Sequence, residues 1–191
     1  MYTEALTTIV TLFTFSTSRD TMTIHIRHYD ITHNKYEVIF HGNFIDTCLT
    51  SDPSIVDDWV QAMSSHFGFS SNHNRLIGLD VEWNPNTQRN APRNPVATLQ
   101  LCQGENCLVY QILHAPYIPR SLVDFLRSRN NMFVGAGIEA DAQKLLEDYN
   151  LHVTNCMDLR MLAEHVLVDY SSCLSLFSLS SLIMKFPISR S

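Results

Sequence analysis

The sequence lacks any apolar run approaching the roughly 20 residues that a membrane-spanning helix needs, so we expect no membrane span. It also lacks an excess of positive charge, because 13 Lys and Arg stand against 19 Asp and Glu, for a net charge of −6. This balance argues against non-specific binding of nucleic acid through a broad basic surface. A nuclease remains compatible with it, since metal-binding carboxylates add negative charge that bound cations neutralise.

The five cysteines include no C-x-x-C pair. Neither they nor the nine histidines show the paired spacing that zinc ligands usually have. An odd number of cysteines without such pairs favours reduced, mostly buried thiols over a disulfide framework. Reduced thiols in turn predict an intracellular location.

The length of 191 residues and a hydrophobic content of 45% predict one domain with a sizeable core. Residues 5–15 are apolar but rich in threonine. Glu4 precedes them, and the first basic residue is Arg19, whereas a secretory signal normally begins with basic residues. We therefore interpret residues 1–21 as an irregular or strand-forming extension rather than a signal peptide, and residues 22–191 as the domain.

The most informative stretch is residues 76–83, L-I-G-L-D-V-E-W, which reads as a buried strand. Because side chains alternate along a strand, Asp80 and Glu82 point to the same face, with Cα atoms roughly 6.5–7 Å apart. Burying two like charges is costly unless a cation offsets them, and Mg²⁺ or Mn²⁺ prefers carboxylate oxygen. The alternative is a pair at a sheet edge that faces water.

The remaining pattern predicts strands followed by alternating strands and helices, which indicates an α/β fold with a mixed sheet flanked by helices. A polar loop over residues 84–95 holds three prolines. The predicted strands are residues 23–29, one or two strands within 36–50 with a turn at Gly42 and Asn43, 76–83, 96–102, 107–111, 132–135 and 152–154. The predicted helices run from Pro53 to before Gly68, from a cap at Ser121, over 139–149 and over 158–168.

A second acidic signal follows the predicted strand over residues 132–135. The small residues Gly135, Ala136 and Gly137 allow a sharp turn into a helix, and Asp141 falls in the first turn of that helix. A carboxylate near a helix N-terminus is also stabilised by the helix dipole without any further function. The combination with Asp80 and Glu82 favours a carboxylate cluster.

At these residues the chain resembles the Werner-syndrome-like 3′–5′ exonucleases, of the DEDD group within the ribonuclease-H-like fold. The resemblance rests on L-D-V-E-W at residues 79–83 and V-G-A-G-I-E-A-D at residues 134–141. Residues 96–102 look like the second strand of the family, and residues 157–163 look like its later helix. Residues 22–26 and 36–38 are similar to the N-terminal strands of plant members.

The resemblance implies hydrolysis of DNA or RNA 3′ ends with a two-ion site for Mg²⁺ or Mn²⁺. Asp80 would bridge both ions, Glu82 would hold the water-activating ion, and Asp141 would contact the second. Trp83 would adjoin the pocket for the terminal nucleotide. Arg89 and Arg93, in the loop beside the carboxylates, and Lys144 are also predicted to contact nucleic acid. A nuclear or cytoplasmic location is expected.

The third motif of the family is a Tyr followed four residues later by an Asp. After Asp158, the sequence contains one Asp, Asp169, and Tyr170 follows it directly. This departure predicts a domain that is incomplete at its C-terminus and cleaves slowly. The alternative hypothesis is an inactive nucleic-acid-binding or assembly module. The apolar residues near the end of the chain also suggest association into a homo-oligomer.

Overall fold

The structure, a computed structural model, describes residues 24–30, 32, 34–40, 43–65, 75–84 and 93–161. The predicted extension over residues 1–21 and the region of Asp169 and Tyr170 lie outside them. The described strands are β1 (Ile24–Asp30), β2 (Lys35–Phe40), β3 (Asn43–Thr50), β4 (Arg75–Glu82), β5 (Thr98–Gln103), β6 (Asn106–Tyr110), β7 (Asn131–Gly135) and β8 (Cys156–Asp158). The described helices are α1 (Pro53–Ser65), α2 (Arg120–Arg127) and α3 (Ile138–Tyr149), with a 3₁₀ turn at Ile112–His114.

The strands form one mixed sheet in the order β1-β2-β3-β6-β5-β4-β7-β8. Strand β4 lies inside the sheet, where it pairs antiparallel with β5 and parallel with β7. The predicted mixed sheet with flanking helices is therefore confirmed. Within the described ranges, no helix has the length and apolar character needed to cross a membrane.

The main core lies on one face of this sheet. Ile77, Leu79 and Val81 of β4 are at most 3% exposed and pack in one cluster with residues of all three helices. Helix α1 contributes its predicted apolar stripe, of which Val56, Trp59, Val60 and Met63 are buried. Since side chains alternate, the same pattern places the side chains of Asp80 and Glu82 on the other face of β4.

Two predicted element boundaries were wrong. The strand expected at residues 152–154 forms later, as β8, because Phe133 and Val134 pair with Cys156 and Met157. Helix α2 begins at Arg120 without a side-chain cap. Ser121 instead donates a hydrogen bond from its hydroxyl to the carboxylate of Asp57 on α1, which ties two helices together.

The prediction of reduced cysteines was also wrong in part, because Cys102 and Cys107 form a disulfide. They lie directly opposite each other on β5 and β6. The pairing was missed because strand register, and not a C-x-x-C spacing, brings them together. Cys48 and Cys156 carry thiols that do not take part in a disulfide. An intracellular location stays a prediction.

Candidate active site

Strand β4 carries the first two carboxylates of the candidate site. Asp80 is partly buried and Glu82 is exposed, at the C-terminal end of the strand. Their cross-strand neighbours on β5 are Gln100, opposite Asp80, and Thr98, opposite Glu82. The site therefore begins at the edge where β4 leaves the sheet, with polar neighbours on β5.

The connection from β7 to α3 brings the third carboxylate to this edge. A Cβ added to Gly135 would lie 2.5 Å from the carbonyl oxygen of Leu79, so glycine allows β7 to approach β4 closely. Gly137 adopts φ +78°, a left-handed conformation that glycine tolerates best. Helix α3 then starts at Ile138, and Asp141 in its first turn is 8% exposed.

The electrostatics show that Asp80, Glu82 and Asp141 lie close together. Burial, followed by the charges of Asp141 and Glu82, raises the pKa of Asp80 to about 8. Burial and then Glu82 raise the pKa of Asp141 to about 7, although Arg160 opposes the rise. The Oδ2 atom of Asp80 is also buried without a hydrogen-bond partner. The three predicted residues thus form a crowded acidic site.

The donor chemistry of this site fits a divalent cation. Three carboxylates offer oxygen ligands alone, as Mg²⁺ and Mn²⁺ prefer, and a cation would offset the repulsion that raises both pKa values. No group of three His, Cys, Asp or Glu side chains among the described residues already has a metal-holding arrangement. The structure thus brings the carboxylates together without a preformed coordination geometry.

Sequence reasoning missed a supporting ion pair at β8. The Asp158 carboxylate accepts hydrogen bonds from the backbone N–H of Gly137 at 2.9 Å and from Arg160, whose Nη2 lies 2.6 Å away. The Arg160 hydrogen bond is the main reason that the pKa of Asp158 is lowered. Asp158 therefore anchors the turn before α3 and holds the positively charged Arg160 side chain near Asp141. An Asp two residues before an Arg was the sole local signal.

Lys144, predicted to contact nucleic acid, lies in a buried environment. Its side chain is 5% exposed, and its Nζ donates hydrogen bonds of 2.8 Å to the carbonyl oxygen of Asn94 and to the carboxylate of Asp148. The same Nζ lies 4.9 Å from the centroid of the Trp83 ring. The ammonium group therefore points inward. Through it, α3 contacts the segments on both sides of the proline-rich loop.

The other predicted nucleic-acid contacts have different surroundings. Trp83 directly follows Glu82 and is 37% exposed, and its ring contacts the ammonium group of Lys144. Arg93 is exposed and pairs with Glu147 of α3 at 2.5 Å. Arg89 lies outside the described residues. Contact of Trp83, Arg89, Arg93 and Lys144 with nucleic acid remains a prediction.

Comparison with known proteins defines the class. Residues 51–187 match the family model described as 3′–5′ exonuclease, and the chain belongs to this family. The match includes Asp80, Glu82 and Asp141. The mixed sheet with flanking helices is accordingly a ribonuclease-H-like exonuclease fold.

Individual relatives bear names of the same class. A 3′–5′ exonuclease of Arabidopsis thaliana is 38% identical over 89 residues, which cover 46% of this chain and 31% of that protein. Exonuclease 3′–5′ domain-containing protein 2 of Mus musculus is 35% identical over 125 residues, covering 61% of this chain and 18% of that protein. The matched regions thus span a third or less of these relatives.

Solved structures agree with the sequence relatives. The EXD2 exonuclease domain soaked in Mn and GMP aligns with a TM-score of 0.53 and 28% identity, over 74% of this chain and 71% of that chain. The same domain soaked in Mg and dGMP aligns with a TM-score of 0.52 and 30% identity, over 74% and 71% of the two chains.

Proposed function

We propose that this chain hydrolyses the terminal phosphodiester bond at the 3′ end of a nucleic acid and releases a nucleoside 5′-monophosphate. The observation that carries the proposal is the crowding of Asp80, Glu82 and Asp141 within the segment that matches the 3′–5′ exonuclease family. The EXD2 structures soaked in Mn or Mg together with GMP or dGMP support it by analogy.

The proposed reaction is the attack of water on the terminal phosphorus. The water oxygen forms the new bond to phosphorus, the bond from phosphorus to the 3′-oxygen breaks, and that oxygen takes up a proton. Two bound divalent cations would lower the pKa of the attacking water and stabilise the negative charge on the leaving oxygen. Asp80, Glu82 and Asp141 would hold these cations through their carboxylate oxygens.

The other residues of the site would orient the substrate. The exposed part of the Trp83 ring offers a stacking surface for a terminal base, and base stacking on an aromatic side chain contributes about 1–3 kcal/mol per base. Arg160 lies close enough to Asp141 to lower its pKa, and its guanidinium is half-exposed. It is therefore suitably placed to contact a phosphate oxygen near the carboxylates.

A second candidate function is binding of nucleic acid without cleavage. The observation that favours it is the pair Asp169 and Tyr170, whose order and spacing differ from the Tyr and later Asp that the family resemblance implies. Under this hypothesis the carboxylates would bind cations and a nucleic-acid end, but hydrolysis would be very slow.

The test is a cleavage assay with Mn²⁺ or Mg²⁺ on end-labelled single-stranded and recessed 3′ ends. We expect stepwise shortening from the 3′ end. The cleavage rate should fall at least about 100-fold in Asp80→Asn and Asp141→Asn, since each change replaces a negatively charged metal ligand by a neutral amide. Asp124→Asn, on an exposed position of α2, is the control and should cleave normally. Binding of labelled ends with equal, negligible cleavage by all four proteins would favour the second function.

A further inference from the structure

Strand β5 places an unusual polar side chain beside the carboxylate site. Gln100 is 0% exposed, and neither its Nε2 nor its Oε1 atom has a hydrogen-bond partner. Buried side-chain amides are normally satisfied, because an unpaired buried polar group costs about 1–3 kcal/mol. An apolar side chain of similar volume would avoid this cost.

The sheet register explains what Gln100 faces. It lies directly opposite Asp80 on the antiparallel neighbour strand. Residues paired in this way share one face of the sheet, with Cβ atoms about 4.5–5.5 Å apart. The Asp80 Oδ2 atom is itself buried and unpartnered. A donor group and an acceptor atom, both unpaired, therefore lie side by side at one of the proposed cation ligands.

The chemistry of the pair suits a hydrogen bond from the Gln100 amide to the Asp80 carboxylate. The Gln100 amide can donate two N–H groups, and a carboxylate is a stronger acceptor than a neutral carboxyl group. A carboxylate that binds a cation with one oxygen keeps lone pairs for a second donor. Hydrogen bonds of this kind fix the orientation of metal-binding side chains, and their loss typically weakens metal binding 10–100-fold.

We infer that Gln100 is a positioning residue, which donates a hydrogen bond from Nε2 to the Asp80 carboxylate when a divalent cation binds there. This inference rests on the proposed function, because it requires Asp80 to be a metal ligand. Gln100 acts through Asp80 and does not touch the substrate. The unpartnered Gln100 amide is then a donor held beside the Asp80 carboxylate.

Strand β5 also supplies a matched control. Gln103 lies three residues further along and is 6% exposed, again with both amide atoms unpartnered. Its neighbour on β6 is Asn106, and it has no carboxylate opposite it in the register with β4. Replacement of either glutamine by methionine removes a buried amide of similar size, but only at Gln100 does that amide face Asp80.

The test measures Mn²⁺ binding by calorimetry and thermal unfolding without metal, for the parent chain, Gln100→Met, Gln103→Met and Asp80→Asn. We expect Gln100→Met to unfold at the parent temperature or higher without metal and to bind Mn²⁺ at least tenfold more weakly. Gln103→Met should bind Mn²⁺ as the parent does. This pattern separates positioning of Asp80 from a general loss of a buried amide.

Three other outcomes would overturn the inference. Equal Mn²⁺ affinity in Gln100→Met and the parent would exclude a positioning role while leaving the proposed function intact. Loss of folding or a lower unfolding temperature in metal-free Gln100→Met would assign the amide to the stability of the sheet. Absence of Asp80-dependent Mn²⁺ binding in the parent would instead reject the proposed function, together with the inference that rests on it.

Discussion

At the scale of single residues, Lys144 connects the carboxylate site to the loop beside it. It lies three residues after Asp141, on the same helix, and its ammonium group contacts Asn94, Asp148 and the Trp83 ring. Asp148 in turn accepts a hydrogen bond of 2.9 Å from the backbone N–H of Val96. Both ends of the proline-rich loop are thereby attached to α3.

Replacement of Lys144 should show this structural role directly. Lys144→Met would leave the partly buried Asp148 carboxylate with one fewer donor, so we expect the free energy of unfolding to fall by about 2 kcal/mol. The matched control is Arg120→Met, which breaks another ion pair at spacing i,i+4, with Asp124, where the side chains are 79% and 58% exposed. That change should cost less than about 1 kcal/mol. Equal losses in chemical denaturation would contradict the buried role of Lys144.

At the scale of elements, the parallel pairing of β7 with β4 determines where α3 begins. Their backbones approach so closely at Gly135 that a side chain would meet the carbonyl oxygen of Leu79, one residue before Asp80. The Gly137 N–H bonds to Asp158 on β8, which fixes the turn from the other side. The position of Asp141 relative to Asp80 therefore depends on contacts among β4, β7 and β8.

A methyl group at Gly135 should disturb both stability and the site. Gly135→Ala must separate β7 from β4, so we expect unfolding to become easier by about 2–3 kcal/mol and Mn²⁺ binding to weaken. Gly104→Ala is the comparison, because its added Cβ has nothing within 4 Å. Its φ of +59° should cost about 1 kcal/mol without changing Mn²⁺ binding. Unchanged Mn²⁺ affinity in Gly135→Ala would show that the spacing of the strands does not control the site.

At the scale of the whole molecule, the acidic site links protonation, metal binding and folding. An unfolded Asp loses its proton near pH 3.8, whereas Asp80 and Asp141 in the folded chain do so at about 8 and about 7. Between these values the folded chain binds more protons than the unfolded chain. The contribution of these groups to stability is therefore complete below about pH 4 and is lost as the pH rises toward 8.

Without metal, the protein should accordingly be less stable to unfolding at alkaline pH than at acidic pH. We expect the free energy of unfolding to fall by a few kcal/mol between about pH 5 and about pH 8, and Asp80→Asn to reduce this fall because it removes one ionising group. Mn²⁺ should bind more tightly at about pH 8 than at about pH 6, since its carboxylate ligands must lose their protons. Denaturation series with and without Mn²⁺ would measure both effects. Identical pH profiles for the parent and Asp80→Asn would contradict the raised pKa of Asp80.

Local patterns in the sequence determined a large part of the result. Alternation along residues 76–83 predicted both the buried face of β4 and the shared face of Asp80 and Glu82, because the two-residue period of a strand is a local property. The glycines around Ala136 predicted the turn into α3. The apolar stripe of α1 follows from the helical period in the same way. Each of these features depends on residues close together in the chain.

The tertiary structure decided which distant residues meet. Strand register placed Gln100 opposite Asp80 and Cys102 opposite Cys107, and the packing of α3 against the loop buried Lys144, which the sequence had suggested as a contact for nucleic acid. Register and packing depend on how whole strands and helices fit against one another, and a shift of one residue would turn every side chain of a strand to the other face. Local periodicity predicts which face of the sheet a residue occupies, whereas the register of the assembled strands determines which residues are its neighbours.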